Sequence, residues 1–148
     1  MKQIHLMKWT IEVDISRTKE FYGKEMELCN CLYCRNYMEA CKHFDRDIVA
    51  MLASFGIDPA KPSHLSEFGE VDGKQRLYIG CYHLVGSLVE GEYRTDSDWN
   101  DSNTANMKNF TFGFEKELMF VPNGFPRSVL QLGFEARIPW VLREIPAD

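Results

Sequence analysis

The chain has 148 residues, of which 45% are hydrophobic and 26% charged, and carries a net charge of −5. These values describe one ordinary globular domain, able to bury roughly 70% of its unfolded surface without the help of disulfides. The negative balance and the lack of any Lys/Arg run argue against charge-driven binding to nucleic acid or anionic membranes, which draws on a clustered basic patch.

The N-terminal stretch, Met1 to Asp14, is too polar for a secretory signal, and no later run approaches the ~18 apolar residues of a membrane span. A reducing, cytoplasmic setting is therefore expected, in which clustered thiols point to metal or redox chemistry rather than to structural disulfides.

From Lys8 to Ile15 the apolar residues Trp9, Ile11, Val13 and Ile15 alternate with Thr10, Glu12 and Asp14, the period of a strand with one buried face. A charged connector, Ser16 to Glu27, follows. From about Tyr33 the period changes: Cys34, Tyr37, Cys41, Phe44, Ile48, Met51 and Phe55 recur at steps of three and four, which predicts one amphipathic helix of about six turns. Gly56 suits the left-handed residue after a helix end, and Pro59 and Pro62 block continuation.

Asp72-Gly73, between two β-prone segments, is a hairpin-turn signal, and the strand after it runs toward Val89. Residues 91–108 are polar and turn-rich. Phe110, Phe112, Phe114, Leu118 and Phe120 share one parity and predict a fourth strand, whose aromatic row lines either a core or a pocket. Leu130, Leu132, Phe134, Ala136, Ile138, Trp140 and Leu142 form the clearest alternation, with Pro139 marking an edge or bulge. The expected fold is a single α+β domain over residues 1–148: one long amphipathic helix packed on a mostly antiparallel sheet of about five strands, in the order β-α-β-β-β-β.

Four of the five cysteines, Cys29, Cys31, Cys34 and Cys41, lie where a polar loop enters that helix. Thiolates favour zinc, which takes four ligands tetrahedrally, so the sulfurs must sit about 4 Å apart. In a regular helix Cys34 and Cys41 are separated by ~10 Å of rise, too far to share an ion or a disulfide. Cys41 joins the set only if the helix starts late; otherwise the fourth ligand comes from Cys81, His83 or His64, and Cys41 fills core.

Two enzymatic alternatives compete. Cys31-x-x-Cys34 at a helix start suits thiol–disulfide exchange, but the strand-rich remainder does not suit a thioredoxin-like fold. Cys81 and His83 share a strand face and suit a nucleophile and its base, though Leu77, Ile79 and Val85 on the same parity make core residues the simpler reading. The loop from Asp96 through Asp98 and Asn100 begins like a calcium loop, yet Asp101 replaces the required glycine and Met107 the terminal glutamate, so it is rejected. Trp99 in that loop is expected to fold back onto the sheet. Neither a phosphate-binding glycine loop nor a Gly-x-Ser-x-Gly elbow nor a His-Glu-x-x-His pair occurs. The sequence therefore favours a small intracellular, non-enzymatic binding or interaction domain with a zinc-holding cysteine cluster, its partner a small molecule or a protein that the sequence does not specify.

Overall fold

The chain begins with a hairpin: β1 (Lys2–Leu6) and β2 (Trp9–Val13) pair antiparallel around Met7-Lys8, with Leu6 facing Trp9. This is seen in a computed structural model describing residues 1–95 and 97–146. Three short helices follow, α1 (Ile15–Tyr22), α2 (Leu32–Ala40) and α3 (Arg46–Ser54), the last two separated by a 3-10 turn at Cys41–His43. Then come β3 (His64–Asp72), β4 (Gln75–Glu90), β5 (Ala105–Met107), β6 (Phe110–Glu115) and β7 (Val129–Pro139). Among the described residues these make a seven-stranded antiparallel sheet in the order β1-β2-β4-β7-β6-β5, with β3 also paired to β4.

This overturns the expected single long helix on about five strands. The helical period from Tyr33 to Phe55 is genuine, but it records which side chains face the sheet, not an unbroken helix. Phe44 takes an extended backbone (φ −62°, ψ 148°), and Asp45 then caps a new helix by accepting the Asp47 N–H at 2.9 Å. Tyr37 and Cys41 lie before the break, Ile48, Met51 and Phe55 after it, and all join one core. The charged connector hides α1, whose buried face is Thr18, Phe21 and Tyr22. The fourth predicted strand ends at Glu115, and Leu118 and Phe120 beyond it are exposed.

The core lies on one sheet face. Tyr78, Tyr82 and Leu84 of β4, the phenylalanines of β6, and Leu132, Phe134 and Ala136 of β7 meet Tyr37, Ile48, Leu52 and Phe55 there. Tyr37 stacks on Phe134 (5.8 Å), and its hydroxyl bonds that of Tyr82 (2.7 Å), which donates to the Pro59 carbonyl (2.7 Å). The hydroxyls are thus paired where an unpaired polar group would be costly.

One edge of β4 is shared. Its first part, Gln75 to Cys81, pairs with β3, and its last part, from Gly86, pairs with β2. Between them α1 completes the edge with side chains: Tyr22 Oη accepts the His83 N–H (3.2 Å) and donates to the His83 carbonyl (2.7 Å), and Thr18 Oγ1 accepts the Val85 N–H (2.9 Å). Buried backbone groups demand partners. With α1 filling the edge at His83, Ser63 runs beside it, its N–H bonded to the Cys81 carbonyl at 2.9 Å.

Candidate functional site

The loop 27–31 and the start of α2 bring three thiols together. Cys31 occupies the N-cap position with extended backbone, and its sulfur accepts the Cys34 N–H at 3.4 Å, a role more often played by Ser or Asp. That capping turn sets the Cys34 sulfur beside it, and Cys29 curls in from the loop. The sulfurs of Cys29, Cys31 and Cys34 all lie within 4.8 Å of one another. Such a group can hold a metal ion. Cys29 and Cys31 are exposed and Cys34 is half-buried.

Their protonation is uneven. The backbone N–H of Cys31, followed by the thiols of Cys31 and Cys34, lowers the pKa of Cys29. Burial, then the hydrogen bonds of its two neighbours, raises that of Cys34. In the metal-free cluster neighbouring groups donate to Cys29, and a bound cation would take over from those donors. Cys29 and Cys34 also line a pocket of about 180 Å3 with Tyr37, Met38, Ser63 and His64.

Cys41 is not brought into this group. It follows α2, buried in the core, where its sulfur donates to the Pro59 carbonyl at 3.4 Å and burial pushes its thiol up to about 12. The physical reason is the one that spacing suggests: α2 begins at Leu32, so a full helix separates Cys41 from the cap. Cys81, likewise buried, has its thiol pushed up to about 12, chiefly by burial. The ring nitrogens of His83 meet Ser63 and Gln131 instead, so the alternative of a Cys81/His83 nucleophile-base pair is not supported.

His83 instead sits inside a chain of polar side chains on the sheet face opposite the core. Its Nδ1 is 2.7 Å from Ser63 Oγ and its Nε2 is 2.8 Å from Gln131 Oε1. Gln131 Oε1 also accepts the Met119 N–H at 2.7 Å, and Gln131 Nε2 donates to Glu115, which pairs in turn with Arg94. Arg94 passes across Gly113 and Gly133, which face each other in β6 and β7, and a Cβ on Gly113 would lie 2.6 Å from Arg94 Cδ. The glycines form the trough in which the guanidinium lies. Burial holds the His83 pKa below its usual 6.5.

No family model, curated protein or solved structure matches this chain. The site therefore has to be read from its own geometry.

Ser63, Glu115, Gln131 and Arg94 were not singled out in the sequence. A usable signal existed in part: Gly113 and Glu115, like Gln131 and Gly133, share a strand parity opposite to the large apolar residues, so small and polar residues collect on one face. Trp99, expected to fold back onto the sheet, is exposed and lies over the Arg94 guanidinium, 3.9 Å from its ring centre. Of the rejected calcium loop, Asp96 lies outside the described residues; Asp98 and Asn100 bond to each other and to Asn103 and Ser102 within the turn. No described helix is long and apolar enough to cross a membrane.

Proposed function

We propose that this is a small binding domain that holds a zinc ion on the thiolates of Cys29, Cys31 and Cys34. The convergence of the three sulfurs within 4.8 Å carries the reading. Zinc bonds of ~2.3 Å need sulfur separations near 4 Å, so the exposed loop bearing Cys29 has only to contract by about 1 Å. Three soft thiolates favour zinc over the hard cations that seek oxygen. No other His, Cys, Asp or Glu among the described residues joins the group, so the fourth position is taken by water or by a ligand. With Cys29 and Cys34 in the pocket wall, the ion fixes the loop that closes one side of that pocket.

Disulfide exchange by Cys31 and Cys34 is less well supported. The strands β3 to β7 that follow the helices do not supply the strand-helix alternation of a thioredoxin-like fold.

Elemental analysis of protein purified without chelator tests the proposal. About one equivalent of zinc is expected, lost together with metal-protected thiols in Cys29→Ser/Cys31→Ser, whose exposed positions leave the core untouched. Less than about a tenth of an equivalent, with three freely titrating thiols even after zinc is added, overturns it.

A further inference from the structure

We propose that Ser63 and His83 are the nucleophile and general base of an acyl-transfer site, acting on small acyl esters in the cleft that Ser63 lines beside α1. The polar chain behind His83 is arranged so that only one tautomer fits. Gln131 presents its amide nitrogen to the Glu115 carboxylate, and its oxygen already receives the Met119 N–H. That oxygen accepts the remaining bond from His83, so the proton sits on Nε2 and the Nδ1 lone pair points at Ser63 Oγ, 2.7 Å away. The logic is that of a catalytic triad: a nucleophile on a base, and a base oriented from behind. Here the orienting carboxylate acts through an interposed amide.

Exposure separates the two ends of the chain. His83 is fully buried and Gln131 nearly so. Ser63 is half-buried and lines two clefts, the one beside the thiol cluster and another of about 460 Å3 walled by Phe21, Met26, Phe120 and Pro122, with Lys24, Glu25 and Glu27 also in its lining. The network's one hydroxyl is therefore presented to space that a small, largely apolar acyl group fills. Burial also keeps the imidazole neutral at ordinary pH, the state a base requires.

The step balances without a further reactant except water. Ser63 Oγ bonds to the ester carbonyl carbon as its proton moves to His83 Nδ1. The C–O bond to the alcohol then breaks, and the departing oxygen takes the proton from Nδ1. Water next attacks the acyl-Ser63 carbonyl, giving its proton to Nδ1, which returns it to Oγ as the acid leaves. Through the charged stage, Nε2–H donates to a Gln131 oxygen whose amide is polarised by Glu115.

An alkyl fluorophosphonate, whose P–F bond is displaced by an activated serine, tests this on the intact chain by mass spectrometry. A single adduct on the Ser63 peptide is expected. It should vanish in Ser63→Ala and in protein unfolded by urea, and its rate should fall about 100-fold or more in His83→Gln. Should His83→Gln fail to fold, the comparison of native with urea-unfolded wild type still decides. No Ser63 adduct in native protein, equal labelling after unfolding, or an unchanged rate in folded His83→Gln overturns the proposal. Labelling with and without a zinc chelator keeps the result independent of the metal site.

Discussion

Replacing Glu115 by Gln should destabilise the domain by about 3 kcal/mol. The carboxylate accepts from Arg94 through one oxygen and from Gln131 through the other, and both donors are nearly buried, at 6% and 3% exposure. Glutamine keeps the shape but offers one acceptor for two donors, so its NH2 group must face either the guanidinium or the Gln131 amide. Removing one partner of a buried ion pair typically costs about 3–5 kcal/mol. Two features place this case at the lower end: the Glu115 side chain retains 17% exposure, and the Trp99 ring still attracts the guanidinium from 3.9 Å. For a chain of this length the loss lowers Tm by roughly 6–12 °C.

Urea unfolding at pH 7, with the slope of the transition checked for constancy, measures it. Glu39→Gln is the control, because the Lys42–Glu39 pair has a similar separation of 2.7 Å but side chains 70% and 41% exposed; about 0.5 kcal/mol or less is expected there. A Glu115→Gln loss below about 1 kcal/mol, or one matching the control, would show that the trough is wet and the chain of bonds loose.

Two further outcomes follow from the titrating groups. In metal-free folded protein, iodoacetamide should modify Cys29 well before Cys41 and Cys81, which burial holds as thiols with pKa values of about 12; peptide mass spectrometry reads the order, and early labelling of Cys81 contradicts the sheet packing. His83 is depressed in the folded state, so below 6.5 the unfolded chain takes a proton that the folded one refuses. Stability from this group is complete above that pH and falls, by up to about 1.4 kcal/mol per unit, until the folded pKa is passed. Urea midpoints from pH 8 to 5 should show this decline in wild type and not in His83→Gln; parallel curves would place the proton elsewhere.

Where one buried face repeats at one period, the chain was readable. Trp9, Ile11 and Val13 form the buried side of β2 and Gly56 follows the end of α3 with a φ of 86°, whereas the turn between β3 and β4 falls one residue later than Asp72-Gly73, at Gly73-Lys74, because Asp72 still pairs with Gln75. The helix boundaries were not readable, because the break at Phe44 falls between two segments that bury the same stripe. A period reports the direction of side chains and is blind to one extended residue that preserves the phase. α1 escaped for the opposite reason: its buried face is Thr18, Phe21 and Tyr22, two of them polar-tipped, and their value lies in completing the edge of β4.

The parity of β4 hides the polar chain around His83 from the sequence. Leu77, Ile79, Cys81 and Val85 on one side and Tyr78, Tyr82 and Leu84 on the other both look apolar, so alternation alone does not say which side is core. Size decides: the tyrosines fill the space against Tyr37 and Phe134, and Cys81 and His83 are left on the side where Gly113 and Gly133 open a trough. Those glycines become informative only once the register pairs them and sets Cys81 opposite Gly133. Register is a property of several strands at once. A site made of Ser63, His83, Gln131 and Glu115, each from a different segment, is therefore assembled by the sheet, whereas the thiol cluster, contained within six consecutive residues, could be read directly.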